Sequence, residues 1–218
     1  VTSAAGMFVG EQLTIDTGSS EETITLTAVD TVASPNSITA DFKLPHNAGV
    51  RLASVGGFSA GVIPTTMANG SGPNVLKIIG DINGDGNMVY VEYTCDLAGG
   101  RLFRNVMAID AAVKPPLTVD QVLLDNLLPN PPNPNGAVPP CFVYQEQTFG
   151  GRTYVVGVAI MTTVRTQQRD VITRNFQTVT KALLNVSPRN VVNVWQMASL
   201  NYNERVQPVP PSVIPLLP

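Results

Sequence analysis

The chain is written in short runs of β-branched residues, each cut off by glycine, proline, serine or asparagine before a helical repeat can establish itself. Three such runs fall in the first 55 positions: Gln12-Leu13-Thr14-Ile15, residues 22–29 and residues 37–42. In the second, Ile24, Leu26 and Ala28 alternate with threonines, the pattern of an antiparallel strand with one face buried. Positions 1–55 therefore read as a small all-β module. Residues 56–74, rich in Gly, Ser and Thr, read as a linker. Further β-prone runs at 75–79, 88–95, 154–165 and 178–186 build a second block over 75–207. The polar stretch 165–174 reads as the hairpin connection between the last two. The strongest helical pattern is at 118–128, with Thr118 as N-cap and Asp120 in the first turn, although a strand with irregular flanks fits the same residues. Residues 208–218, opening Pro-Val-Pro-Pro, read as an extended polyproline-like tail. The expected fold class is mostly β, α+β at most.

Composition removes several functions. Thirteen Lys and Arg against sixteen Asp and Glu leave a net charge of -3, without the basic footprint that phosphate backbones require, so no nucleic-acid partner is expected. A single histidine and two cysteines leave almost no ligands for zinc. Cys95 and Cys141 stand outside any C-x-x-C spacing, so one long-range disulfide competes with two buried free thiols. The bridge, if formed, points to an extracellular location.

Four segments look like chemistry. Asp81-Ile82-Asn83-Gly84-Asp85-Gly86-Asn87, with Glu92 following, matches the calcium-loop pattern: oxygen ligands at positions one, three and five, glycine at six, and a glutamate at twelve. Asp81, Asn83, Asp85, Asn87 and Glu92 are thus a candidate structural Ca²⁺ site. A metal-free Asn/Asp-Gly hairpin turn explains the same residues, because the flanks are strands rather than helices. Asp16-Thr17-Gly18 matches an aspartic-protease loop, but the required second loop is missing from this chain, and the triplet is also an ordinary β-turn. Gly57-Phe58-Ser59-Ala60-Gly61 has the spacing of a nucleophile elbow, yet His46 precedes the serine and no helix pattern follows it. His46 itself reads as a turn or core-edge residue, and Trp195 as core. No catalytic residue is assigned, and the chain is read as a non-enzyme.

The second block resembles the globular heads of type IV pilin-like proteins, specifically PilW-type minor pilins and J-type pseudopilins. The likeness rests on the order of Asp81-Ile82-Asn83-Gly84-Asp85-Gly86, Val89-Tyr90-Val91-Glu92-Tyr93, Gly100-Arg101-Leu102-Phe103-Arg104, Gln121-Val122-Leu123-Leu124-Asp125-Asn126, Cys141-Phe142-Val143-Tyr144 and Val155-Val156-Gly157-Val158-Ala159-Ile160. Residues 1–55 are similar to a small β module of secreted bacterial and phage proteins, through 6–16 and His46-Asn47-Ala48-Gly49. The resemblance implies a structural subunit of an extracellular filament or pseudopilus, with other pilin subunits as partners. The hydrophobic N-terminal helix of that family is absent from this sequence. It implies a short hydrophobic helical chain as partner, with membrane contact only through that helix, or a helix since removed, and in either case an apolar patch on the β-block. The alternative is a secreted adhesin-like or phage-type β binding module.

Overall fold

The computed structural model describes residues 1–4, 6–82 and 88–216, and the chain is mostly β with one α-helix among them. Four strands, β1 (Gln12–Ile15), β2 (Glu22–Asp30), β3 (Ser37–Ala40) and β4 (Leu52–Ser54), form an antiparallel sheet in the order β3-β2-β1-β4. Its register sets Leu13 opposite Ile24, and Leu13, Ile15, Ile24 and Leu26 form its buried face. The alternation of Thr with Ile and Leu in β2 decides this outcome: a one-residue slip would turn the threonines inward.

The next strand, β5 (Gly57–Phe58), pairs in parallel with a late strand, β14 (Val206–Gln207). The stretch expected as a linker is therefore part of the core. Ile63 is fully buried, and Val62 forms a bridge to Ile78. Glycine and serine allow close approach here rather than flexibility: a Cβ on Gly57 or Gly61 would stand 2.9 Å from Val194 or Val191.

Two larger antiparallel sheets follow. In one, β6 (Val75–Gly80), β7 (Val89–Asp96), β8 (Arg101–Ala108) and β9 (Val122–Asp125) lie in sequence order. In the other, the long β12 (Arg152–Arg165) is flanked by β10 (Leu127–Leu128) and β11 (Phe142–Phe149), and pairs also with β13 (Thr178–Val186). Of the two readings of 118–128 the strand with irregular flanks is the one observed: a 3₁₀ turn at Val119–Gln121 is followed by β9 and β10. Pairing of Val122 with Phe103 and of Leu124 with Leu102 outweighs the weak helical pattern. Asn126, at φ 57°, turns the chain from the first large sheet into the second.

The helix α1 (Arg189–Ser199) lies where no helix was expected, in a Val-rich run behind Pro188. Its buried residues Val191, Val194 and Ala198 recur at helical spacing and pack with Tyr154 and Val206. Trp195 is half-buried against this cluster. The Pro-rich tail is also packed: Val213 and Leu216 are buried beside Ile63, Ile79, Tyr90 and Met107. Among the described residues no helix is long and apolar enough to cross a membrane.

Candidate functional site

Strand alternation in β6 sends Leu76 and Ile78 to one side of the sheet and Lys77 and Ile79 to the other, giving it two different faces. The first face looks towards β12 across an apolar cleft of about 580 Å³. Leu76, Ile78, Tyr93 and Leu102 line one wall, Phe142, Val158 and Ile160 the other, and the first turn of α1 closes one end. Thr162, Asp81, Arg189 and Asn190 supply polar groups, and Val186 of β13 completes the lining.

A disulfide between Cys95 and Cys141 ties the two large sheets together, with Cα atoms 6.6 Å apart and both residues buried in the cluster of Val62, Leu76, Phe142, Val155 and Val158. The pairing expected from the cysteine count is thus observed. Two hydrogen bonds cross the same junction: Phe142 N donates to Pro73 O (2.9 Å) and Tyr144 Oη to Val75 O (2.9 Å).

The opposite face holds a buried charge cluster. Register places Lys77 opposite Glu92 and Glu92 opposite Asn105, and the three are 4%, 2% and 0% exposed. Glu92 Oε1 accepts from Tyr90 Oη at 2.5 Å and lies 3.9 Å from Lys77 Nζ, while Oε2 faces Lys114 Nζ at 2.7 Å. Lys77 Nζ also donates to Asn69 O at 2.6 Å. Asn105 is held by Pro115 O and Gln121 Nε2 at 3.0 and 2.9 Å. Burial is the main force on two of these groups. It lowers the Lys77 ammonium from its usual value and pushes the Tyr90 phenol up, the Glu92 carboxylate adding to the latter.

Of the five calcium candidates, Asn83, Asp85 and Asn87 lie outside the described residues. Asp81 is at the cleft mouth, and Glu92 has its carboxylate engaged by the two lysines and Tyr90. Among the described residues no group of three or more His, Cys, Asp or Glu is placed to hold a metal ion.

The other motifs resolve into packing and turns. Gly57 and Gly61 of the serine segment are the positions where α1 comes closest, so their spacing serves helix packing. Asp16, at φ 66°, ends β1; its Oδ1 accepts from Thr17 N (2.9 Å) and its Oδ2 lies 3.2 Å from His46 Nδ1. His46 Nε2 is 2.7 Å from Glu22 Oε1, and Glu22 also accepts from the backbone N–H of Lys43 and Leu44. The imidazole is thus a clamp between two carboxylates on the small module. The hydrogen bond to Glu22 raises its pKa above 6.5 and holds Glu22 below 4.5.

A pH dependence follows. A raised imidazole contributes fully below its unfolded value of 6.5 and loses that contribution as pH rises through its folded value. The depressed Glu22 contributes above 4.5 and loses its share as pH falls through its own folded value. The melting midpoint should therefore be flat between these limits and decline on the alkaline side, and His46→Gln should remove that alkaline decline. An identical alkaline profile in the variant would refute the clamp.

No protein-family model, curated protein or solved structure matches this chain.

Proposed function

We propose that the chain is a non-catalytic structural subunit of an extracellular filament or pseudopilus of the type IV pilin kind. Its β head would pair with a hydrophobic helix that is a separate chain or has been removed. The observation carrying this reading is the apolar cleft between the two large sheets. Its walls are Leu, Ile, Val, Phe and Tyr side chains held apart by a disulfide-tied framework, and polar groups enter chiefly at Asp81, Thr162, Arg189 and Asn190. Such a slot suits an apolar helix face presented by a partner. The disulfide agrees with an oxidising, extracellular location. Asp81, Asn83, Asp85, Asn87 and Glu92 stay in this proposal as the candidate ligands of a structural Ca²⁺ ion.

Electron microscopy and intact mass on native material test the reading. Filaments containing this chain with a short hydrophobic helical polypeptide are the expected result. A lone monomer without a helical partner would overturn it and favour a secreted binding module. The feature favouring that second reading is a hollow of about 790 Å³ on the small module, walled by Met7, Ile15, Ile38, Phe42, Val50 and Leu52 among others.

A further inference from the structure

The hairpin that joins β12 to β13 stands clear of the other elements. From Arg165 to Leu183 every residue is exposed except Asp170, which is half-buried. Beyond the Arg165–Thr178 pair the segment is held by its own hydrogen bonds. Thr166 N donates to Gln177 O and Asp170 N to Asn175 O, each at 2.9 Å. Asp170 Oδ1 accepts from Ile172 N (3.0 Å) and Thr173 N (2.7 Å), and Asp170 O from Arg174 N (2.8 Å). These bonds fix a tight apex, and they hold two aliphatic side chains out in water there: Val171 is 94% and Ile172 90% exposed. A turn meant only to reverse the chain has no use for such a pair.

Cations stand behind that apex. Residues 165–181 carry Arg165, Arg169, Arg174 and Lys181 against Asp170 alone, in a chain whose net charge is -3. Among the described residues none of the four forms an ion pair. The guanidinium groups of Arg165 and Arg169 lie 4.8 and 5.2 Å from the ring centre of Phe176, itself exposed. Lys181, opposite Thr162, is three ladder pairs further down the arm, about 10 Å at the usual strand rise. From the tip inward the arm thus presents aliphatic side chains, then a collar of arginine and phenylalanine, then lysine. That is the order of groups suited to the boundary of a bilayer, where an apolar tip enters the acyl region and aromatic and cationic groups stay at headgroup level. A protein receptor would need a pocket of matching shape, whereas lipid accepts two adjacent aliphatic side chains in any rotamer. Four unpaired cations complement anionic headgroups, and the excess of carboxylates in the rest of the chain turns this end towards such a surface.

We propose that the β12–β13 hairpin tip docks on an anionic lipid bilayer, with Val171 and Ile172 entering the acyl boundary and Arg165, Arg169, Arg174 and Lys181 meeting lipid phosphates. This goes beyond the filament reading: it is a direct membrane contact of the β head, independent of any partner helix.

Flotation of the oxidised full chain with lipid vesicles tests the contact. Vesicles of mixed phosphatidylglycerol and phosphatidylcholine should carry the chain, pure phosphatidylcholine vesicles should bind it about tenfold or more weakly, and added salt should release it. Val171→Asp with Ile172→Asp should lower binding to the anionic vesicles by about tenfold or more while leaving the melting midpoint in place, since both side chains are in water in the free chain. Arg174→Ala with Lys181→Ala should also lower it and narrow the difference between the two vesicle types. In an Ile172→Trp variant the added indole emission should shift to the blue on anionic vesicles and stay in place with inorganic phosphate, which separates insertion of the tip from capture of a free anion. No binding to anionic vesicles, or binding that survives the double substitution at the tip, overturns the proposal. Self-association that the same substitution abolishes, seen without vesicle binding, would overturn it in favour of a second copy as the arm's partner. The filament reading is decided separately, by whether native filaments contain the helical chain.

Discussion

Removing the bridge between Cys95 and Cys141, by reduction or by substituting both residues with alanine, should destabilise the chain by about 4 kcal/mol. The bridge spans 46 positions, and the chain-entropy account assigns most of its effect to the unfolded ensemble, which a bond across a loop of that size constrains. A native-state contribution adds to it. Both cysteines are buried where β7 of one sheet meets the start of β11 in the other, and alanine leaves a void among Val62, Leu76, Phe142 and Val158. For a chain of this size the midpoint should fall by about 10 °C. Reduction should lower the wild-type midpoint by a similar amount and leave the double variant unmoved. The cleft should respond as well, since its two walls belong to the sheets that the bridge joins: amides such as Phe142 N and Cys95 N should exchange faster in the variant. A wild-type midpoint indifferent to reductant would mean that packing alone aligns the sheets.

Residues 12–15, 22–30, 75–80, 89–96 and 178–186 were legible as strands because β-branched residues dominate them and turn residues bound them. Composition misled where it was taken for conformation. Residues 56–74 look like a linker, but Gly57 and Gly61 are small because α1 packs against them, and Ile63 is fully buried. The tail has polyproline composition, yet Val213 and Leu216 find an apolar site under the β6–β7 face that only the folded sheet creates. The helix α1 was hidden by its valines, which disfavour helix locally, while the Val191, Val194, Ala198 spacing that favours it acts only through tertiary contact. The disulfide was legible because two cysteines allow one pairing. The engagement of Glu92 by the two lysines and Tyr90 was not legible in the loop pattern. Period-two alternation says which face a strand residue takes. It does not say that Lys114, from a loop, arrives on that face to meet it.

Glu92→Gln should therefore be among the most damaging single substitutions in the chain, costing about 3–5 kcal/mol. Glutamine keeps the shape and removes the charge, so Lys77 keeps Asn69 O but loses the Glu92 charge 3.9 Å away, and Lys114 loses its partner 2.7 Å away. A charge 4–5% exposed cannot recover that loss from water, which is why breaking a buried pair costs more than the pair contributes net. Lys77→Met is the informative companion. Its apolar chain sits beside Ile79 on a face already packed by Met107, and Glu92 keeps Lys114 and Tyr90, so the cost should be well below that of Glu92→Gln. Thermal melts in chelator and in excess calcium separate the two roles available to this carboxylate. If Glu92 serves the lysines, Glu92→Gln lowers the midpoint equally in both, and any calcium-dependent stabilisation of the wild type persists in the variant, because it arises in the loop. If Glu92 instead completes a calcium site, the variant loses the calcium increment and matches the wild type in chelator.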